Sequence, residues 1–389
     1  MFLMVVYIRT QGARIIKEGR HLLVKKGDTV YHTLFTYKLN QIVLFGNVEI
    51  THRALAQLMR YGIDTVFLSY SGRYLGRISP PESKNVFLHR KQYGLLDNES
   101  FTLRLVRSIV AGKLANMATL LMRIKRSRNE PLAGQKGREI QNLIRLLDSA
   151  DSVDSLRGYE GRGSALYFEA FGRGFIENQG FVRRVRRPPT DPVNSVLSLL
   201  YTFLMNRVYA AVRIAGLDPY PGFLHTLDYG RYSLVLDLME EFRTIIADTL
   251  VLSLFNLKIL KRDDFYIEEP SREEDVNHDP NERIADVTRD PIGLIVNGNV
   301  DSELLDLPEQ RMAKELPVED LSTDRYPVKL REAAFKRVIE AFEQKLTTSF
   351  HYPPAERQLT YGEALLYQAN HCRRVIEGEA EVYQPVLLK

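Results

Sequence analysis

The sequence predicts an α+β multidomain protein in which an N-terminal β-rich domain is followed by a larger all-α domain. Residues 1–80 contain short runs of β-branched and aromatic residues separated by glycine-containing turns, a pattern typical of strands. Later segments instead repeat their apolar residues at three- to five-residue steps, as amphipathic helices do. The chain has 389 residues, which is more than one hydrophobic core usually supports, so two or three domains are expected.

The β-rich domain is expected to occupy residues 1–80. Its strands are predicted, in chain order, at VVYI, ARIIKEG, HLLVKKGDTVYHTL, QIVLFGNVEI and the two halves of DTVFLSYSGRYLGRI. Turns are expected at Lys26–Asp28 and Gly46–Asn47, because these residue types tolerate the backbone conformations of tight turns. One short helix is predicted at Thr51–Tyr61, where Thr51 can cap the first turn.

A linker is expected at residues 81–92, since the tandem prolines in Ser79–Ser83 suit neither a helix nor a central strand. The larger helical domain then spans residues 93–389, and its first helix is predicted at Phe101–Arg126. Further helices are predicted at Lys136–Asp148, Gly163–Phe171, Asn194–Ala215, Leu236–Leu257, Leu330–Leu346 and Tyr361–Glu377.

One segment of the helical domain lacks clear periodicity. Residues 263–325 are acidic and interrupted by prolines, which predicts an acidic insertion or long loop. Its first part, residues 263–286, holds ten acidic residues against two arginines. The net charge of +4 therefore understates the basic character of the rest of the chain. The composition is compatible with an anionic partner.

Cysteine content and hydropathy restrict the class of protein and its compartment. The single cysteine, Cys372, excludes a disulfide framework or a thiolate zinc site within the chain. The longest apolar candidate for a membrane span, around Leu250–Leu260, is broken by polar residues. The N-terminus lacks the pattern of a signal peptide. We therefore expect a cytoplasmic protein with no membrane partner.

Three separate segments can be read as parts of one metal site. They contain Glu160 in LRGYEGRGS, His225 in YPGFLHTLDYG, and Asp237, Glu240 and Glu241 in LVLDLMEEFR. A neutral imidazole with two carboxylates suits a divalent metal that acts on phosphate esters. Each residue alone also has an ordinary explanation, because single carboxylates usually face solvent and single histidines are usually structural.

The acidic residues of the third segment are predicted to share one face of the helix Leu236–Leu257 with Thr244 and Asp248. This polar face is either solvated or part of the site. His225 lies in a turn 15 residues before Glu240. Its imidazole can therefore fold back against the first turns of the helix.

Two neighbouring features also have open interpretations. Gly161 and Gly163 follow Glu160 closely, and they indicate the close approach of either a phosphate backbone or another helix. A basic run can donate to DNA phosphates or can be a solvated loop. Its members are Arg183, Arg184, Arg186 and Arg187. No phosphate-binding loop, nucleophile elbow or dinucleotide-binding fingerprint occurs in the sequence.

Taken together, the segments resemble the CRISPR-associated integrase family, Cas protein one. The resemblance begins at TQGARIIKEG and LLVKKGD and extends through QIVLFGNVEIT, FLSYSGRYLGRI and FLHRKQY. It continues through LRGYEGRGSALYFEAF, RRPPTDPVNSVLSLLYTFL and GFLHTLDYGRYSLVLDLMEEFR to RRVIEGEAEVYQP. It thus covers most of the chain, and the order and spacing of the motifs around Glu160 and His225–Arg243 are specific.

This resemblance implies an N-terminal domain used in dimerisation and a helical catalytic domain. It places the catalytic residues and metal ligands on Glu160, His225 and Glu240. Asp237 would either support a ligand from behind or be an auxiliary ligand, and the cofactor would be Mg or Mn.

The function that the resemblance implies is a metal-dependent DNA integrase and endonuclease of CRISPR adaptation, which inserts spacer DNA into the repeat array by phosphodiester transesterification. The expected partners are double-stranded and branched prespacer DNA, repeat DNA, the small companion protein Cas two and a second copy of the chain. Two other classes stay open: a branched-DNA repair nuclease or transposon-borne integrase relative, and a non-catalytic DNA scaffold. A scaffold would need the arginines but neither the histidine nor the acidic residues.

Overall fold

The computed structural model describes residues 4–79, 85–185, 188–267 and 326–388. Contacts between residues divide the described chain after residue 79 into a strand-rich unit and a larger helical unit that starts at Asn85. The predicted α+β class, with strands first and a larger helical region after them, is confirmed.

Two four-stranded sheets and one helix build the strand-rich unit. The elements are β1 (Val5–Ile8), β2 (Ala13–Glu18), β3 (His21–Lys26), β4 (Thr29–Phe35), β5 (Gln41–Phe45), β6 (Val48–Ile50), α1 (His52–Arg60), β7 (Asp64–Leu68) and β8 (Tyr74–Ile78). The sheets have the strand orders β1-β5-β7-β8 and β4-β3-β2-β6. In the first sheet, β1, β5 and β7 run parallel and β8 pairs antiparallel.

Apolar side chains from both sheets and from α1 form one core, which includes Ile15, Ile42 and Leu58. Residues alternate between the faces of a strand, which is why Ile15 is buried while the adjacent Arg14 is exposed. Thr51 stands at the N-cap position of α1 without the expected side-chain cap. Its hydroxyl instead donates to the carbonyl oxygen of Ile15 at 3.2 Å, because the strand lies within reach.

The helical unit contains most of the helices that the sequence predicts. They are α2 (Val86–Gly94), α3 (Glu99–Arg128), α4 (Pro131–Leu146), α5 (Val153–Phe171), α6 (Pro192–Ile214), α7 (Ser233–Phe242), α8 (Thr249–Asn256), α9 (Glu332–Thr347) and α10 (Tyr361–Glu377). Two short antiparallel pairs accompany them and are not visible in the helical periodicity. They are β9 (Phe265–Ile267) with β10 (Val328–Leu330), and β11 (Ser349–Tyr352) with β12 (Arg357–Thr360).

Several element boundaries differ from the prediction for identifiable reasons. Helix α5 begins at Val153 rather than at Gly163, because the hydroxyl of Ser152 accepts from the Ser155 backbone N–H and caps the helix there. Helix α2 begins within the range expected as a linker, residues 81–92, and ends two residues beyond it at Gly94. Of the predicted acidic insertion at 263–325, Phe265–Ile267 is strand β9, and residues 268–325 lie outside the described chain.

The predicted helix Leu236–Leu257 is not one regular helix. Helix α7 passes into a π-helical turn at Arg243–Asp248, and α8 follows it. A π-helical turn holds more residues than an α-helical turn. The side chains after Phe242 therefore no longer follow the regular helical rotation on which the predicted polar face depends.

Two helices, α3 and α6, are long and apolar enough to cross a membrane by length and composition. This corrects the expectation that the longest apolar candidate lies around Leu250–Leu260. Their apolar windows are 67% and 83% buried inside the protein. Both are therefore placed as core helices, which pass the same test of length and hydropathy.

Close contact between α3 and α5 brings two halves of the candidate site together. A Cβ atom on Gly163 would lie 2.2 Å from Cδ2 of the buried Leu114, so glycine permits an approach that a larger residue would prevent. For Gly163, the helix-contact interpretation is therefore correct. A Cβ atom on Gly161 would meet nothing within 4 Å among the described residues.

Candidate active site

Four residues predicted from separate segments lie together in the helical unit. Helix α5 carries Glu160, helix α7 carries Asp237 and Glu240, and the loop before α7 carries His225. The Nε2 atom of His225 lies 3.8 Å from Oε1 of Glu240. The carboxylates of Glu160 and Glu240 both contact the ammonium group of Lys113.

Asp237 fixes the loop that carries His225. Its carboxylate accepts from the backbone N–H groups of Phe223, Leu224 and His225 at 2.6, 2.9 and 2.9 Å. One of its oxygens also lies 2.7 Å from Nδ1 of His225. An ionised carboxylate can only accept, so Nδ1 carries the proton in this pair. The ring is thereby held with Nε2 toward Glu240, as carboxylates behind a histidine ligand orient it at metal sites.

Glu240 is an ionised carboxylate in an almost solvent-free position, with 3% of the residue exposed. Arg243 Nε lies 3.1 Å from Oε1, and Lys113 Nζ lies 2.6 Å from Oε2. Burial alone would raise the pKa of Glu240, but the charges of Arg243, Lys113 and His225 outweigh it and lower the pKa to about 2.

Lys113 on α3 completes the cluster, and no motif in the sequence marks it. It holds Glu160, which also accepts from the hydroxyl of Ser164 at 2.9 Å. Burial opposes ionisation of Glu160, but Lys113 lowers the pKa of this carboxyl overall. One signal was present in the sequence. Lys113 stands four residues from both Ile109 and Met117, on the helix face that these apolar residues bury.

The predicted polar face beyond Glu240 is buried, so the interpretation of a solvated acidic face is wrong. Arg243 stacks over the ring of Tyr201 at 4.8 Å. The hydroxyl groups of Tyr201 and Tyr167 donate to Asp248 at 2.7 and 2.8 Å. Burial raises the pKa of Asp248, although both hydroxyl groups act in the opposite direction. These contacts place Arg243 beside Glu240.

Glu241 points away from the site, although it neighbours Glu240 in sequence. It accepts from the hydroxyl of Tyr383 and from the backbone N–H of Val386, both at 2.6 Å. The Gln368 side chain donates to it at 3.2 Å. Glu241 therefore holds the C-terminal segment against the helical core.

The predicted basic run is only partly within the described chain, because Arg186 and Arg187 lie outside it. Arg183 is exposed. Arg184 instead turns toward α6, where it donates to Asn194 at 2.8 Å and to Ser198 at 3.1 Å. The two described arginines thus have different surroundings.

The fit of these donors to a divalent metal depends on their spacing and on their chemistry. Among the described residues, no three histidine, cysteine or acidic side chains lie close enough together to hold a metal ion as they stand. The chemistry still fits, because an imidazole nitrogen and two carboxylates suit Mg²⁺ or Mn²⁺ and both carboxylates already share one cation. Glu160, His225 and Glu240 are therefore the residues that could hold such an ion.

Comparisons with known proteins identify the family to which the chain is similar. The family described as CRISPR associated protein Cas1 matches residues 6–277. A relative from Thermus thermophilus, CRISPR-associated endonuclease Cas1 3, is 31% identical over 388 residues, which cover 99% of this chain and 97% of the relative.

Two solved structures share the fold. A Cas6-RT-Cas1--Cas2 complex aligns with a TM-score of 0.75 and 22% identity, over 100% of this chain and 36% of that chain. A casposase bound to integration product aligns with a TM-score of 0.74 and 18% identity, over 99% and 93% of the two chains. Because the family match covers most of the chain and the Thermus relative is similar over its full length, this chain belongs to the CRISPR associated protein Cas1 family.

Proposed function

We propose that this chain is a metal-dependent DNA integrase and endonuclease of CRISPR adaptation, which joins spacer DNA to the repeat array. The observation that carries the proposal is the convergence of Glu160, His225 and Glu240 from three separate segments. Family membership and the endonuclease name of the Thermus relative support nuclease chemistry. The solved casposase was bound to an integration product.

The proposed reaction is transesterification at a phosphodiester. A bound Mg²⁺ or Mn²⁺ would supply positive charge that polarises the phosphate and stabilises the leaving oxygen. Glu160 and Glu240 would hold the ion through carboxylate oxygens and His225 through Nε2, while Asp237 keeps the imidazole in place. Attack by a DNA 3′-hydroxyl gives strand transfer, and attack by water gives cleavage.

The proposed partners are DNA, a Cas2-type companion protein and a second copy of the chain, in the cytoplasm. Arg183 is exposed and able to reach a phosphate, whereas Arg184 supports α6. A Cas2 companion is supported by the solved complex of the same fold that contains one.

Single substitutions test the metal role. Glu160→Gln, His225→Ala and Glu240→Gln should each lower strand transfer and cleavage by more than about 100-fold, because each removes a ligand. Rates on labelled branched DNA are compared in Mg²⁺, in Mn²⁺ and with EDTA, and DNA affinity is measured by fluorescence anisotropy.

Glu169→Gln on the same helix is the matched control, since Glu169 pairs with Lys136 at the surface. It should keep the activity of the parent chain. Full turnover in EDTA, or in His225→Ala, would contradict the metal assignment.

A further inference from the structure

Lys113 is buried at a position that a lysine rarely occupies without a partner. Only 6% of the residue is exposed, and it lies on the apolar face of α3. Burying an ammonium group is costly unless opposite charges compensate for it. Compensation comes from Glu160 and Glu240, which lie on two other helices and both contact Nζ.

The two proposed carboxylate ligands are already paired with two cations without a metal. Glu160 and Glu240 carry two negative charges, and Lys113 and Arg243 carry two positive charges. A divalent ion that joins the cluster adds two further positive charges at the same carboxylates. Repulsion between these cations and the ion makes binding more favourable when one of the resident cations withdraws from the carboxylates.

The surroundings of the two cations identify Lys113 as the one that withdraws. Arg243 is anchored twice, by Glu240 and by the ring of Tyr201. Within the described chain, the polar contacts of the Lys113 Nζ atom are its ion pairs with Glu160 and Glu240. Both of its carboxylate partners are proposed metal ligands, so Lys113 and the ion need the same oxygens.

We propose that Lys113 is an internal cation that competes with the divalent metal for Glu160 and Glu240. The ammonium holds the two carboxylates together before the metal binds, and metal entry displaces it from at least one of them. This inference rests on the proposed function. Lys113 is thus a positioning residue that lowers metal affinity in return for a stable metal-free site.

Lys113→Met tests the competition, because methionine keeps an unbranched stem and removes the charge. We expect Mn²⁺ to bind the variant about tenfold or more tightly than the parent chain, since a positive charge beside the ion is lost. We also expect the metal-free variant to melt at a lower temperature and to gain more from Mn²⁺. The readouts are isothermal titration calorimetry and thermal unfolding of the full chain.

Two further variants define the comparison. Arg104→Met makes the same charge change at an exposed position of α3, and its Mn²⁺ affinity should equal that of the parent chain. Glu160→Gln should lose the bound ion, which confirms that the titration reports this site. If Lys113→Met does not fold without metal, Lys113→Gln replaces it in the same titration. The glutamine removes the same charge, but its amide can still donate to a carboxylate, and Mn²⁺ should again bind more tightly than to the parent chain.

The possible outcomes separate the inference from the proposed function. Equal or weaker Mn²⁺ binding by both Lys113 variants, with Glu160-dependent binding by the parent chain, would overturn the competition and leave the metal site standing. No Mn²⁺ binding by the parent chain or by either Lys113 variant would overturn the metal site and the competition together.

Discussion

At the scale of single residues, Asp237 controls the orientation of His225. Asp237→Asn replaces one accepting oxygen with a donor that faces backbone N–H groups. We expect strand transfer to fall by about 10- to 100-fold, as for other residues that orient a metal ligand. The measurement is the single-turnover rate of Asp237→Asn, of His225→Ala and of the double variant.

If Asp237 acts through His225, the double variant should match His225→Ala within about threefold. Losses that multiply in the double variant would show that Asp237 contributes independently, for example as a direct ligand.

Lys345 provides a second prediction at this scale, remote from the proposed ligands. Burial, together with the charge of Arg123, lowers the pKa of Lys345 to about 8. The unfolded chain therefore holds this proton more strongly than the folded chain does. The cost to stability is complete below pH 8 and disappears above the ordinary lysine pKa of about 10.5.

Lys345→Met should thus stabilise the protein at pH 7 by about 1–3 kcal/mol, after allowance for solvent screening and the lost contact with Tyr361. Urea unfolding at pH 7 and above pH 10 should show the advantage shrinking as pH rises. Lys336→Met is the control on the same helix, because Lys336 is largely exposed. A constant difference between Lys345→Met and the parent chain would contradict the pKa shift.

The sequence predicted the site residues that stand in motifs, but it did not predict the contacts that depend on how distant segments pack together. Glu160, His225 and Glu240 stand in recognisable motifs, and the structure brings them together. Lys113 lies 47 residues from Glu160 in sequence, and helical periodicity treats it as one more polar position. Glu241 looked equivalent to Glu240, but its partners come from the C-terminal segment, which no local pattern connects to α7.

At the scale of elements, the contact between α3 and α5 determines where Glu160 lies relative to Lys113. Gly163→Ala places a methyl group 2.2 Å from the buried side chain of Leu114. We expect a loss of about 1–3 kcal/mol in stability, because the helices must separate or Leu114 must move. Urea unfolding measures this loss, and activity should fall with it as Glu160 shifts from Lys113.

Gly161→Ala is the matched control two residues earlier in the same helix. Its new methyl group meets nothing within 4 Å among the described residues, so it should stabilise α5 by about 0.5–1 kcal/mol through helix propensity. Equal effects of the two alanines would contradict the close contact assigned to Gly163.

Element predictions failed where the cause lies outside the local pattern. Periodicity gave α10 its observed range, Tyr361–Glu377, since a capping box and a final glycine mark both ends. The start of α5 was predicted too late, because Gly161 and Gly163 are poor helix formers and the cap at Ser152 lies further upstream. The π-helical turn at Arg243–Asp248 was missed because its polar residues are buried by other helices, which a single segment does not reveal.

At the scale of the whole molecule, the strand-rich unit carries an apolar surface suited to self-association. Strand β4 lies at an edge of its sheet, next to β3. Four large apolar residues on and after this strand are exposed: Val30, Tyr31, Phe35 and Tyr37. We call them the β4 patch. An exposed edge strand with apolar side chains favours pairing with another chain unless it is covered, and a symmetric dimer is the simplest closed solution.

We therefore expect the purified chain to form a dimer through residues 1–80, with about twice the monomer mass of 44.8 kDa in light scattering. The double variant Tyr31→Lys and Phe35→Lys should give monomers, because like charges would be brought together across the contact. Phe87→Glu is the control, since Phe87 is equally apolar and 85% exposed but lies on α2. It should remain dimeric.

A monomeric parent chain at micromolar concentration would reject the dimer. A double variant that stays dimeric would move the interface away from the β4 patch.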